Sequence, residues 1–465
     1  MSEQYDLAVI GSGPGGYVAA IRAAQLGFKT VCIDKRGTFG GTCLNVGCIP
    51  SKALLQATEM FAHLNHQAKD FGIEITNASM NFSKMMERKN QVVKTLTDGI
   101  AGLFRRHGVH VLNGEAQFLD PHRLKITQSE STVEIQAKYI LIATGSESIE
   151  LPHLPFDEKK IISSTGALSL LECPKELLVI GGGVIGVELA SVYQRLGAKV
   201  PIIDMMDRLG PGLDLALSKQ LLQSLKKQGI DCWLSSKVVS ADLKSKDAVL
   251  SIEQNGQTIQ KNGDIVLVAV GRRPFTKGLQ LEKVGIQLDA KGFIIVDQNF
   301  RTSQKHVFAI GDTIEGVMLA HRASAEGVAI VEALKGGNPI VNYLAIPNVV
   351  YTNPEVASVG LTEEECQQDQ MEIIVGTSFF RGNPRARCMD ETEGFVKIIG
   401  DKHTGRLIGM HIIGPHASEL ISEGMLAIQN KALVEDLAEA PQAHPTLSEA
   451  IKEAALEALG RAIHH

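Results

Sequence analysis

Residues 7–34 and 177–204 repeat one design, and that repetition limits the fold more than any other feature. In the first copy, the apolar run Leu7-Ala8-Val9-Ile10 leads into Gly11-Ser12-Gly13-Pro14-Gly15-Gly16. A helical stretch follows to Leu26, Gly27 stands where a C-terminal cap belongs, and a second apolar run, Lys29 to Ile33, ends at Asp34. In the second copy, Leu177 to Ile180 leads into Gly181-Gly182-Gly183-Val184-Ile185-Gly186, the helix runs to Leu196, Gly197 is the cap, and Lys199 to Ile203 ends at Asp204. Each is a βαβ unit with a G-x-G-x-x-G turn. The first glycine allows the tight turn, the second lets backbone approach a pyrophosphate, and the third lets helix and strand pack closely. The helix N-terminus offers unpaired N–H groups and a favourable dipole to that anion. Two copies predict two doubly wound α/β domains and two dinucleotides.

Asp34 and Asp204 each lie eighteen positions after the third glycine, placed to accept a hydrogen bond from a ribose hydroxyl. At Asp204 an acid prefers a free 2′-hydroxyl and repels a 2′-phosphate, which favours NAD over NADP; Arg208 is the one nearby cation that could reach a phosphate. Pro201 cannot donate to a sheet ladder and predicts an edge or irregular strand position.

At 465 residues the chain has room for about three domains. A net charge of −6 without single-sign runs argues against nucleic acid as a partner. No apolar run reaches 18 residues, so no membrane helix is expected, and the polar start Met1 to Asp6 does not resemble a targeting segment. Seven cysteines are too few for a disulfide scaffold. A reducing, cytoplasmic location follows, in which a disulfide would be catalytic.

Further apolar runs stop at glycine: Ile140 to Gly145, Val266 to Gly271, and Val307 to Gly311-Asp312. Such endings put backbone N–H groups at the carboxyl edge of a sheet, where open α/β folds bind ligands. After about Ile346 the texture changes to strands at 349–361 and 394–413 and helices from Ser418 and Ser448, an α+β pattern. The expected domains are 1–147, 148–270, 271–346 and 347–465.

Chemistry concentrates at residues 40–52, Gly-Gly-Thr-Cys-Leu-Asn-Val-Gly-Cys-Ile-Pro-Ser-Lys. Cys43 and Cys48 precede a helical run from Lys52 to Gln67, and a helix N-terminus or a cation such as Lys52 lowers a thiol pKa. A dithiol beside a dinucleotide can pass two electrons between sulfur and a cofactor. The rival is a zinc site of Cys43, Cys48, His63 and His66, although the Cys spacing is wide for zinc. It would suit a nucleotide-sensing module rather than an enzyme. The other five cysteines read as small packing residues. Near the C-terminus, His444-Pro445-Thr446-Leu447-Ser448-Glu449 offers an imidazole base with a carboxylate five positions on to orient it.

Taken together, these motifs resemble the FAD-dependent pyridine nucleotide-disulfide oxidoreductases, and within them the branch that oxidises dihydrolipoyl groups. Further matching stretches are Ala143-Thr144-Gly145, Ala269-Val270-Gly271-Arg272, Ala309 to Asp312, Tyr351 to Val356 and Ala443 to Thr446, so the likeness spans nearly the whole chain. The resemblance implies two Rossmann-like domains and a C-terminal α+β dimerisation domain. It implies one tightly bound FAD per subunit, held by Gly11, Gly13, Gly16, Asp34, Lys35, Thr42, Lys52, Gly114, Thr144, Gly145, Ser146, Gly311, Asp312, Met318, Leu319, Ala320 and His321. It implies NAD held by Gly181, Gly183, Val184, Ile185, Gly186, Glu188, Asp204, Val238 and Gly271. Cys43 would exchange with substrate and Cys48 would lie against the flavin. His444, with Glu449, would act across a homodimer interface. Glu188 would stand near the nicotinamide and pair with Lys52. No metal is implied. The partner would be a lipoyl-bearing acyltransferase or a glycine-cleavage carrier. Asp204 stands where glutathione reductases use cations, and no cysteine follows Cys388, unlike mercuric and large thioredoxin reductases. The alternative within the family is a reductase of another small disulfide, such as glutathione. Gln442 stands where many relatives have a second histidine.

Overall fold

The computed structural model describes residues 3–243 and 247–464. The chain divides into two compact units: Met1–Leu54, Ser83–Ile149 and Gly271–Val341 form one, and Leu55–Phe82, Glu150–Val270 and Asn342–His465 the other.

In the first unit, strands His110–Asn113, Thr30–Asp34, Glu3–Ile10, Thr132–Ile142 and Val307–Ala309 run parallel in that order. The strand Thr132–Ile142 is long because it serves twice. Its first half also pairs antiparallel with Arg123–Thr127, which in turn pairs with Glu115–Asp120. Its second half, Tyr139 to Ile142, is a continuous apolar run covered on both sides, as parallel strands are. The helices Pro14–Gln25 and Ala320–Leu334 cross on one face, and glycine makes the crossing possible: a Cβ on Gly327 would stand 2.6 Å from the Gly15 carbonyl oxygen. Gly11, Gly114, Gly145 and Gly311 all follow carboxyl ends of these strands, so the ligand edge of the sheet is lined with backbone, as the strand-then-glycine pattern predicts.

The expected helix caps form. Gly27 sits at φ +85°, its N–H donating to Ala24 O and that of Phe28 to Ala23 O; Gly197, at φ +97°, repeats the pattern with Gln194 and Tyr193.

In the second unit, a parallel sheet orders Asp231–Trp233, Pro201–Ile203, Leu177–Ile180, Ile265–Val268 and Ile161–Ile162. Of the edge or irregular position expected for Pro201, the edge is not what the structure shows. It is the first residue of an interior strand, and only Ile202 and Ile203 pair with the strand Leu177–Ile180, so its missing N–H costs that ladder nothing. A three-stranded antiparallel sheet, Ser236–Asp242, Ala248–Gln254 and Gln257–Gly263, packs its apolar face on this core.

The C-terminal part is an antiparallel sheet of Asn348–Val350, Glu355–Gly360, Leu407–Gly414, Phe395–Asp401 and Ile373–Phe379, with helices Ala417–Gln429 and Glu449–Ala458. The two long expected strands each divide. The first breaks at Asn353-Pro354, a cis peptide, and the second at a turn where Asp401 accepts the Thr404 N–H at 2.6 Å. The helix Glu449–Ala458 lies so close that a Cβ on Gly376 would stand 2.1 Å from Ala454 O. No described helix is long and apolar enough to cross a membrane.

Candidate active site

The two glycine loops have nearly the same geometry. Gly11 and Gly181 adopt φ +102° and +110°, and a Cβ on either would stand 2.4 Å from the carbonyl oxygen of Ala143 or Ala269. A Cβ on Gly16 would meet Gly11 O at 1.8 Å, and one on Gly186 would meet Gly181 O at 2.0 Å. The fold itself thus demands glycine at the first and third positions. It does not at the middle one. Gly13 and Gly183 have ordinary φ of −64° and −75°, and an added Cβ would find only Gly41 Cα at 3.9 Å in the first case and nothing within 4 Å in the second. The open space lies over the N-termini of helices Pro14–Gln25 and Val184–Arg195, where a pyrophosphate fits.

The terminal acids tie strand to loop. Asp34 Oδ2 accepts from Ser12 N at 2.8 Å and Ser12 Oγ at 2.6 Å, while Oδ1 accepts from Arg36 N at 2.8 Å. Asp204 accepts from Gly182 N and, at 2.7 Å, from Met206 N. Val184 and Ile185 form the first turn behind Gly183. Glu188, buried one turn further, accepts the Tyr351 N–H at 3.0 Å. Val238 turns its side chain into the core with Leu178, Ile180 and Ile252, so only its backbone can face a ligand. Gly271, φ +126°, belongs to the first unit, unlike the other residues expected at the NAD site.

Around the first loop the expected FAD residues converge from separate segments. Lys35 pairs with Glu115 at 3.3 Å and lies 4.2 Å over the Phe275 ring. Gly114 N donates to Asp34 O at 2.9 Å. Thr144 Oγ1 donates to Phe275 O at 2.5 Å, Gly145 turns at φ +72°, and Ser146 Oγ donates to Asp312 Oδ2 at 2.5 Å. Gly311 donates to the buried Glu326 at 2.7 Å, and Glu326 is held by Arg322 at 2.8 Å. Met318 and Leu319 lead into the helix Ala320–Leu334, with His321 exposed in its first turn.

The dithiol segment is bolted to this loop. Gly40 N donates to Ser12 O at 2.9 Å, and a Cβ on Gly41 would stand 2.6 Å from Gly13 Cα. Cys43 and Thr42 lie in a short helix, Gly41–Val46, and Cys48 opens the helix Cys48–His66. The expected single helix from Lys52 therefore begins four residues earlier and is preceded by a break at Gly47, where a Cβ would meet Thr42 O at 2.9 Å. The break folds the chain back, so the Cys48 side chain reaches hydrogen-bonding contact with Cys43. That contact, then burial, raises the Cys43 thiol well above the usual range, while Lys52 pulls it down. Among the described residues no three His, Cys, Asp or Glu side chains converge as a metal would require.

In the second unit His444 stands before the cis bond to Pro445, and its Nδ1–H donates to Glu449 Oε1 at 2.8 Å. The other oxygen of Glu449 accepts from Thr446 N at 2.8 Å. Burial works against the carboxylate, but the Thr446 amide and the imidazole hold Glu449 below the usual carboxylate range. With Nδ1 carrying the hydrogen, Nε2 is the basic nitrogen, on a side chain that is largely exposed.

Against known proteins, the family described as pyridine nucleotide-disulphide oxidoreductase matches residues 5–327, and its dimerisation domain matches residues 346–455. The chain belongs to the pyridine nucleotide-disulphide oxidoreductase family. Dihydrolipoamide dehydrogenase of Chaetomium thermophilum is 49% identical over 463 residues, 99% of this chain and 92% of that one. The mitochondrial dihydrolipoyl dehydrogenase of Pisum sativum is 47% identical over 467 residues, covering 100% and 93%. The crystal structure of LpdA from Mycobacterium tuberculosis matches with a TM-score of 0.90 at 29% identity, over 98% of this chain and 99% of that one. The family uses FAD and NAD(H), and the two cradles at Gly13 and Gly183 fit such dinucleotides. Sequence reasoning quoted Arg272 and gave it no role; its partners are more than a hundred residues away, beyond the reach of local pattern.

Proposed function

We propose that this protein oxidises protein-bound dihydrolipoamide to lipoamide and reduces NAD⁺, as the lipoamide dehydrogenase component of a 2-oxo acid dehydrogenase complex or a glycine-cleavage system. One observation carries the reading: the Cys43–Cys48 pair is fastened by Gly40 and Gly41 to the first dinucleotide loop. Relatives at 46–49% identity bear dihydrolipoyl or dihydrolipoamide dehydrogenase names over nearly their full length.

With the pair oxidised, a substrate thiolate attacks Cys43 and releases Cys48 as thiolate. The second substrate thiol attacks the mixed disulfide, frees Cys43, and departs as lipoamide. His444 Nε2 takes the substrate proton, with Glu449 stabilising the imidazolium. Lys52 supplies positive charge beside the sulfurs. FAD held in the first cradle would supply the two-electron chemistry that links the sulfurs to NAD⁺. The first dinucleotide loop, Lys35, Thr144 to Ser146 and Gly311 to His321 would hold FAD; the second loop, Glu188 and Asp204 would hold NAD.

In this reading residues 1–147 and 271–346 form the FAD domain, 148–270 the NAD domain and 347–465 the interface of a homodimer across which His444 acts. The location is cytoplasmic, although several named relatives are mitochondrial. The test is turnover of dihydrolipoamide against glutathione with NAD⁺ and NADP⁺ (or their reduced forms for glutathione). Dihydrolipoamide with NAD⁺ should lead by orders of magnitude. A Cys48→Ser variant with full lipoamide turnover would end the proposal.

A further inference from the structure

Arg272 opens a short antiparallel ribbon, Arg272–Pro274 against Ser146–Ser148. Its guanidinium uses two edges on one residue: Nε donates to Ser146 Oγ at 2.8 Å and Nη2 to Ser146 O at 2.6 Å. This fork fixes the direction of the next bond. With its oxygen accepting from Arg272, the Ser146 hydroxyl turns its hydrogen to Asp312 Oδ2 at 2.5 Å. The result is a directed relay, guanidinium to hydroxyl to carboxylate, on the carboxyl edge of the first sheet. It joins residues 146, 272 and 312 from two chain segments of one unit. Asp312 is left with Oδ1 for a ligand while Oδ2 is spoken for.

We infer that Arg272 is a positioning residue: through Ser146 it holds the Asp312 carboxylate toward the FAD site. A lysine would keep the charge and lose the fork, since it presents a point cation rather than a planar pair of donors. An alanine at Ser146 would break the relay and keep the charge.

The inference rests on the reading of residues 311–321 as part of the FAD site, and the experiment separates the two. FAD loss from the loaded protein on prolonged dialysis is followed by flavin absorbance, with the unfolding temperature measured beside it. Ser146→Ala and Arg272→Lys should each release FAD several-fold faster than the parent while the flavin-free proteins unfold within a few degrees of it. A parent that takes up no flavin would overturn the FAD reading. FAD retention unchanged in both variants, or faster loss matched by a general fall in the unfolding temperature of the flavin-free protein, would overturn the relay.

Discussion

His444 Nδ1 lies 2.8 Å from Glu449 Oε1, while the second oxygen of that carboxylate is held by the Thr446 amide. The carboxylate is thus fixed before it meets the imidazole, and it selects the tautomer that leaves Nε2 basic. Glu449→Gln keeps the shape but puts an amide where an acceptor stood. Turnover of dihydrolipoamide should fall roughly 100-fold, the low end of what a positioned acid–base group contributes. Steady-state kinetics at neutral pH checks this. A loss confined to KM for NAD⁺ would argue against the pair acting on the thiol half.

The glycine geometry predicts opposite outcomes for neighbouring substitutions. Gly183→Ala adds a Cβ with nothing within 4 Å, so the fold should keep its unfolding temperature. KM for NAD⁺ should rise about tenfold or more, since the methyl occupies the space the pyrophosphate needs, a change of ~1.4 kcal/mol. Gly186→Ala drives a Cβ to 2.0 Å from Gly181 O and should cost more than ~4 kcal/mol, leaving little folded protein. Thermal unfolding beside KM separates a glycine needed by the ligand from one needed by the chain.

A buried ion cluster gives a stability test away from the chemistry. Lys397 Nζ lies 2.7 Å from Asp214 Oδ2 and 2.6 Å from Glu363 Oε2, with Lys397 and Asp214 nearly without solvent access. Asp214 also caps the helix Leu215–Lys227 by accepting from Ala216 N. Lys397→Met should strand that carboxylate and cost about 3–5 kcal/mol, read by denaturant unfolding. Adding Asp214→Asn should recover much of the loss, because the uncompensated charge is then gone.

Much of this architecture was legible because its signals are local. The G-x-G-x-x-G turns, the caps at Gly27 and Gly197, the terminal acids and the His444–Glu449 spacing each sit within about thirty residues. What was not legible depends on close approaches in space that residue types do not mark. The break at Gly47 exists because Thr42 O approaches it, and nothing in the residue types marks that approach. Pro201 reads as an edge or irregular position, and an interior strand accommodates it because the missing N–H falls just outside one ladder. The strand Ile373–Phe379 escaped notice because it alternates little in hydropathy and is specified by its neighbour Phe395–Asp401. Arg272 joins a relay whose members are 126 and 166 positions apart.

Two stacked imidazoles predict how the first unit responds to acid. The rings of His122 and His306 lie 3.7 Å apart and 11° from parallel. Each points a ring nitrogen at a carbonyl, His122 at Ala137 O at 3.1 Å and His306 at Pro121 O at 3.0 Å. Burial, then the facing His122, push the His306 pKa below its ordinary value, with the Pro121 carbonyl and Asp120 opposing. The unfolded chain, with its histidine near 6.5, therefore binds the proton more readily than the folded one. Stability should be intact above about pH 6.5 and should fall as pH drops below it. His306→Phe keeps a ring in the stack and removes the titration, at the expense of the Pro121 hydrogen bond. Its unfolding temperature should be lower than that of the parent at pH 7.5, yet should fall less between pH 7.5 and pH 5. Parallel curves for the two proteins would show that the stack carries no acid sensitivity.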